Sequence, residues 1–330
     1  MKKITYMLLA MLVLVLAACG DEEATTDNAT NKDTLNVYTT VYPLQYFTEV
    51  IGGDYVDVKS IYPAGANEHS FEPTQKDMMN LADADVFFYI GLGLEGFVEK
   101  AQSTLANENV TMVATANQIA EEDLHISTGH THAEAIEGHD HEHEATEEES
   151  HEDHDNGEHD SHVWLSPVLS KQLAVVIKDT LVEKLPEHEA EFTANYEKVV
   201  AELDALHADF EAMAAETTSK TFFVSHAAFG YIAGHYGFNQ VPVAGLNSQS
   251  EPSQKELAAI VDLAKQENIN HIFFEQNVSS NLTEVIQKEI GAKTLTLHNL
   301  SVLTKEDVKN NETYFTLMRK NMEALKTALQ

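Results

Sequence analysis

Four polar side chains stand where the strands of an open α/β sheet would end, and their types suit a divalent metal. His69 lies in the loop after one predicted strand, and His226 and Glu275 directly follow two others. His162 stands where an acidic segment gives way to the apolar sequence Val163-Trp164-Leu165. Open α/β sheets bind ligands at the carboxyl ends of their strands. Three imidazoles and one carboxylate form a tetrahedral set that suits Zn²⁺, so we predict one ordered metal site from these four residues.

A second group of metal-binding side chains is concentrated in one segment. Residues 121–160 contain 16 acidic residues and nine histidines but no lysine or arginine. Because no core can bury such a composition, we expect residues 121–160 to be a disordered loop. A merely solubilising insertion would explain the carboxylates but not the imidazoles, so we predict weak capture of additional zinc. The histidines expected to do this are His130, His132, His139, His141, His143, His151, His154 and His159.

The overall charge points in the same direction. The chain has 54 acidic and 20 basic residues, a formal net charge of -34. This excludes a nucleic-acid binder that works by neutralising phosphates and favours cations as small partners. At 330 residues, with 43% hydrophobic residues, the chain is long enough for two domains with real cores. Its single cysteine excludes an internal disulfide.

The elements that must position these residues follow an α/β pattern. Short apolar strands alternate with helical stretches in both halves, which predicts two βαβ-built domains with parallel sheets. The sequence of residues 72–77 recurs almost letter for letter at 251–256, which suggests an internal duplication. Between the halves, apolar residues recur every three or four positions up to Glu216, which predicts one long, rigid connecting helix. We therefore expect lobes at 34–186 and 217–330, joined by a helix at 187–216.

The N-terminus has the features of a secretory signal. Two lysines precede an apolar run that is too short for a comfortable membrane span. The following Leu-Ala-Ala-Cys sequence resembles the bacterial lipobox, in which the cysteine is diacylated. We therefore predict a signal peptide at 1–18, a lipid on Cys19 and a flexible tether at 19–33. The folded part would then be anchored at the cell membrane, facing away from the cytoplasm.

Four motifs together resemble a known family. They cover residues 67–74, 160–167, 224–231 and 273–275, and contain His69, His162, His226 and Glu275. With the lipobox, the His-rich segment and the long helix, they closely resemble the zinc-binding lipoproteins of bacterial ABC importers, the ZnuA/AdcA type of the cluster A-I metal-binding proteins. The sequence ends at Gln330, without the additional C-terminal zinc-recruiting domain of some relatives, so no function of that domain is expected.

The resemblance implies a specific architecture and function. Two Rossmann-like lobes joined by a rigid helix would clamp one metal ion in the cleft between them, with the four residues as ligands. The loaded protein, a monomer without catalytic activity, would deliver Zn²⁺ to a membrane permease driven by a cytoplasmic ATPase. In a Gram-positive bacterium it would lie on the extracellular side. Because the manganese-binding relatives usually carry a carboxylate at the position of His226, this histidine favours zinc.

Two other functions remain compatible with the residues. In a zinc hydrolase, three histidines would hold the metal and Glu275 would act as general base to a bound water. No His-Glu-x-x-His sequence supports this reading. In a surface adhesin or passive metal buffer, the His-rich segment would bind the metal and the folded part would only display it.

Overall fold

A computed structural model describes residues 34–129, 159–247, 252–276 and 280–330. Thr34–Gln330 forms one compact unit. The predicted signal peptide, Cys19 with its tether, and all the predicted weak-capture histidines except His159 lie outside the described residues. Within the described ranges, no helix combines the length and the apolar character needed to cross a membrane.

Two four-stranded parallel sheets form the centres of two lobes. The strands are β1 (Leu35–Thr39), β2 (Val56–Ser60), β3 (Val86–Tyr89), β4 (Thr111–Ala114), β5 (Thr221–His226), β6 (Asn239–Ala244), β7 (His271–Phe274) and β8 (Lys293–Thr296). Their spatial order is β2-β1-β3-β4 in the first sheet and β6-β5-β7-β8 in the second. Strands β3 and β5 are buried at every position, as expected for strands covered on both faces.

Helices cover these sheets and connect them. They are α1 (Tyr42–Gly52), α2 (Gln75–Ala82), α3 (Val98–Thr104), α4 (Glu121–Leu124), α5 (Pro167–Lys184), α6 (Glu189–Glu216), α7 (Gly230–Tyr236), α8 (Gln254–Gln266), α9 (Asn281–Ile290), α10 (Lys305–Lys309) and α11 (Tyr314–Leu329). The alternation of strands and helices confirms the predicted α/β class with two lobes and parallel sheets.

The repeated six-residue sequence has the same structural role in both lobes. Helices α2 and α8 each connect the second and third strands of their sheet. Each begins with a capping box, formed by Thr74 with Asp77 and by Ser253 with Glu256. In this motif the side chain of the residue before the helix accepts from the backbone N–H of the third helical residue. The side chain of that third residue accepts in turn from the backbone N–H of the residue before the helix. The identical strand order supports the interpretation of an internal duplication.

The long helix α6 has 28 residues, which corresponds to about 42 Å at 1.5 Å per residue. It begins at Glu189, two residues later than the predicted 187, because Pro186–His188 forms a separate 3₁₀ turn. Its buried side chains belong to a hydrophobic core that runs through both lobes, from Val37 in β1 to Phe273 in β7. A shared core of this kind limits independent movement of the lobes.

Ordered structure extends into both ends of the segment predicted to be a disordered loop. Residues 121–124 form α4, with Leu124 buried, and beyond them Thr128 and Gly129 form hydrogen bonds with Gly230 and Gln240 of the second lobe. At the other end, Asp160 is buried and accepts a hydrogen bond from Ser127. The predicted bounds of 121 and 160 are therefore wrong at both ends. The high content of acidic residues hid the fact that Leu124 and Asp160, near the two ends of the segment, are buried in the folded protein.

Candidate metal centre

His69 enters the site from a loop of the first lobe. Its backbone N–H donates to Oδ1 of Asn67 at 3.0 Å, which fixes a local turn between β2 and α2. Its Nε2 atom is buried and has no hydrogen-bond partner within the described ranges. Burial, reinforced by His162 and His226, lowers the pKa of His69 to about 2. The ring is therefore neutral, the state in which imidazole binds a metal.

His162 is held by the aspartate two residues before it. Oδ1 of Asp160 accepts from the backbone N–H of His162 at 2.9 Å and lies 2.8 Å from its Nδ1. This contact assigns the proton to Nδ1 and leaves Nε2 as a lone-pair donor. Nε2 is buried and, among the residues that the structure describes, finds no partner. The hydrogen bonds from His162 hold the pKa of Asp160 below its usual value against the effect of burial.

His226 and Glu275 come from neighbouring strands of the second lobe. Parallel pairing of β5 with β7 brings the two carboxyl ends together. His226 is the last residue of β5 rather than the residue after it. Its Nδ1 lies 3.1 Å from Oε2 of Glu275, and its Nε2 lies 2.8 Å from the carbonyl oxygen of Leu246. Burial alone would lower the pKa of His226, but the charge of Glu275 outweighs it and raises this pKa to about 9.

Three of the four predicted ligands form one cluster. His69, His162 and His226 each offer a ring nitrogen, and these three atoms lie within 4.8 Å of one another. The ring centroids are 5.2 Å apart for His69 with His162, 5.2 Å for His69 with His226 and 4.9 Å for His162 with His226. A tetrahedral zinc ion holds its nitrogen ligands roughly 3.3 Å apart. Small movements of the rings would bring them to that spacing.

Glu275 adjoins this cluster but is not one of its members. Besides His226, it accepts hydrogen bonds from Oγ of Ser225 at 3.0 Å and from Nδ2 of Asn299 at 2.8 Å. Burial would raise its pKa, but the charge of His226 and these donors hold it below the usual value. Glu275 is therefore an ionised carboxylate beside the three rings.

Sequence reasoning did not identify the residues that support the ligands. Asp160 enters the sequence analysis only as part of the acidic segment and as the first residue of the motif at 160–167, and neither Glu68 nor Asn299 is singled out there. Glu68 is 4% exposed, and burial raises its pKa. Its Oε1 accepts from the Asn299 amide at 3.1 Å. The signals for Glu68 were its place in the motif at 67–74 and its position next to His69, whereas Asn299 lies outside all four motifs.

A cavity reaches this site from the surface. Its wall includes His69, Ser161, Leu246 and the glycine-rich loop after β3. His159, the one histidine predicted to capture zinc weakly that lies within the described residues, also lines it and lies 3.2 Å from a carboxylate oxygen of Glu121. His159 and His69 therefore line the same cavity.

Fold and site together define a class of protein: two α/β lobes with a buried imidazole cluster between them. The family described as zinc-uptake complex component A, periplasmic (ZnuA), matches residues 37–328. The chain belongs to this family.

Individual relatives agree with this assignment. The chain is 36% identical over 328 residues to the zinc-binding lipoprotein AdcA of Streptococcus pneumoniae serotype 4, covering 99% of this chain and 61% of AdcA. It is 34% identical over 321 residues to the high-affinity zinc uptake system protein ZnuA of Bacillus subtilis, covering 97% and 96%. The Zn(II)-bound ZnuA-like domain of Streptococcus pneumoniae AdcA superposes with a TM-score of 0.71 at 32% identity, covering 90% of this chain and 99% of that domain. The chain spans little more than half the length of the streptococcal relatives it matches.

Proposed function

We propose that this protein is the extracytoplasmic solute-binding component of an ABC transporter, which captures Zn²⁺ and delivers it to a membrane permease for high-affinity uptake. The observation that carries the proposal is the cluster of His69, His162 and His226. Two of these rings have a buried Nε2 with no partner among the described residues. An unsatisfied buried polar atom calls for an explanation, and two of them on neighbouring rings of one cluster support a bound ligand. Nitrogen-rich sites suit zinc.

Glu275 is proposed as the fourth ligand of this single tight site. It is ionised and already lies against His226, so it needs only to exchange hydrogen bonds for the metal. One carboxylate with three neutral imidazoles gives a four-coordinate set. The bound ion would replace one of the two ring protons of His226, which donate from Nδ1 to Glu275 and from Nε2 to the carbonyl oxygen of Leu246.

Binding rather than catalysis is supported by the state of Glu275. A general base works best when its pKa lies near the operating pH. The pKa of Glu275 is instead held below its usual value, and both of its oxygens already accept hydrogen bonds. These features fit a ligand better than the general base of a hydrolase.

The remaining parts of the proposal concern residues outside the described ranges. A lipid on Cys19 would anchor the protein to the membrane through the 19–33 tether, and the permease would act with its cytoplasmic ATPase. The histidines between residues 130 and 158 would hold extra zinc weakly. His159, at the cavity wall, would bring this supply close to His69.

The test is zinc stoichiometry and affinity, measured by competition with a chelator. Residues 130–158 are replaced by a short Gly-Ser linker, which retains the Ser127–Asp160 contact. We expect one tight site, weakened by more than about 100-fold in His226→Ala, because loss of a supporting partner alone costs about 10–100-fold. His271→Ala is the matched control, since His271 begins β7 at the opposite end of the same sheet. If no tight site remains without the loop, the protein is a metal buffer rather than a transporter subunit.

Metal preference provides a second test. Mn²⁺ prefers more oxygen ligands and stands at the bottom of the affinity order. We expect calorimetry on the loop-replaced protein to give clearly weaker binding for Mn²⁺ than for Zn²⁺. Tighter binding of Mn²⁺ would contradict the assignment.

A further inference from the structure

Asn299 lies in the segment that follows β8 and is 2% exposed. Its side-chain amide donates from Nδ2 to two carboxylates, Oε2 of Glu275 at 2.8 Å and Oε1 of Glu68 at 3.1 Å. Glu68 belongs to the first lobe and Glu275 to the second. One amide group therefore connects the two lobes beside the imidazole cluster.

The orientation of this amide is fixed by its other contacts. Oδ1 of Asn299 accepts from the backbone N–H of Ser301 at 3.0 Å, from Oγ of Ser301 at 2.9 Å and from Nε2 of Gln276 at 2.7 Å. A backbone N–H can only donate, so the atom facing it must be the oxygen. The NH₂ group must then face the two carboxylates, and both of its hydrogens are used.

The main chain of Asn299 extends the same network. Its carbonyl oxygen accepts from Nε1 of Trp164 at 2.7 Å, and its N–H donates to Oε1 of Gln276 at 3.0 Å. Trp164 stands two residues after His162, and Glu68 directly precedes His69. Asn299 therefore forms hydrogen bonds with Glu275 and with residues close in sequence to His69 and His162. It reaches His226 through Glu275.

We propose that Asn299 is a positioning residue for the metal site. It holds Glu275 against His226 and ties the loop of His69 to the second lobe, so that the four groups are in place before the ion arrives. Without the amide, two buried carboxylates would lose a shared donor, and Glu275 could turn away from the cluster. This inference rests on the proposed function, because it assumes that the four residues bind one zinc ion.

The experiment compares Asn299→Ala with Gln240→Ala in the full chain. Gln240 is also a fully buried amide, but it bonds Phe229 and Gly129 and no candidate ligand. Zinc affinity is measured by chelator competition, and ligand geometry from the visible absorption of one equivalent of Co²⁺. We expect Asn299→Ala to lower zinc affinity by about 10–100-fold and to alter the Co²⁺ spectrum. Gln240→Ala should lower thermal stability but leave affinity and spectrum unchanged.

Each outcome decides the inference. If Asn299→Ala binds zinc within threefold of the wild type, as a rough limit, with the same spectrum, or if Gln240→Ala disturbs both equally, the positioning role is refuted while the proposed function stands. If the wild type itself has no tight site, both are refuted. If Asn299→Ala does not fold, Asn299→Ser keeps a single donor. It should then show a smaller change in the same direction, and an unchanged site in that variant would refute the role.

Discussion

Replacing Asp160 by alanine would remove the carboxylate that orients His162. Asp160 is 1% exposed, and its Oδ1 contacts both the backbone N–H and the Nδ1 of His162. Its Oδ2 accepts from Ser127. A carboxylate on the second nitrogen of a metal-binding histidine fixes the tautomer and increases the basicity of the ligand. In Asp160→Ala, His162 would be free to turn, and its proton could move to Nε2.

The structure sets the expected size of two separate effects. Loss of such a supporting carboxylate lowers metal affinity by about 10–100-fold, which corresponds to about 1.4–2.7 kcal/mol. The metal-free protein should also be destabilised, because buried donors on His162 and Ser127 lose their acceptor at about 1–3 kcal/mol each. Asp160→Asn should do less, because its amide oxygen still accepts from His162 and Ser127 can reverse its hydrogen bond.

Two measurements separate these effects. Chelator competition gives zinc affinity, and urea unfolding of the metal-free protein gives stability. We expect zinc affinity to decrease from wild type to Asp160→Asn to Asp160→Ala. The expected loss would be absent if folded Asp160→Ala bound zinc within about threefold of the wild type. In that case Asp160 does not support a metal ligand, and the assignment of His162 as a ligand oriented by Asp160 is wrong.

Three further predictions concern stability. Trp164→Ala should lower the free energy of unfolding by about 3–5 kcal/mol in urea titrations, since the indole is fully buried. Gly234→Ala should lower the melting temperature, because a Cβ at Gly234 would overlap the carbonyl oxygen of Ile126; an unchanged melting temperature would contradict this close approach. Asp307→Asn should cost about 1 kcal/mol at pH 7, because Asp307 completes the capping box with Thr304. A hydrogen bond from His298 lowers the pKa of Asp307 in the folded protein. The stabilisation by the ionised Asp307 is therefore complete at pH values above its pKa in the unfolded chain, about 3.9. Urea titrations should therefore show the difference in unfolding free energy between the wild type and Asp307→Asn decreasing as the pH falls from about 5 to about 3.

Local signals in the sequence predicted much of the fold. The six-residue sequence that recurs at 72–77 and 251–256 is one such signal: each copy begins a helix with a capping box, a motif that depends on neighbouring residues only. Short apolar runs in the sequence indicate every strand except β4, whose four residues are all only half-buried. Strands are recognised by apolar runs or strict alternation, and Thr111–Ala114 is too short to show either clearly. Its edge position is not the cause, because β2, β6 and β8 are edge strands as well.

The site was predicted less completely than the fold. His69, His162 and His226 could be selected because each stands at a strand end or beside an apolar segment. The partners of these residues could not be selected, since their contacts are made across long sequence separations. Asn299 meets Glu68 across 231 residues, and Asp160 meets Ser127 across a segment of 33. Such pairs depend on how the lobes pack, which no local pattern reports.

The unpaired ring nitrogens of His69 and His162 link metal binding to the stability of the folded protein. A buried polar atom without a partner costs about 1–3 kcal/mol, and the Nε2 atoms of His69 and His162 each carry this cost. His226 does not, because Glu275 and Leu246 accept from it. Zinc binding would remove the cost at the first two rings while replacing one of the two ring protons at the third. A cation bound only by the folded state stabilises it, by about 2.7 kcal/mol at 100 times Kd. The same side chains that weaken the metal-free protein would therefore strengthen the loaded one.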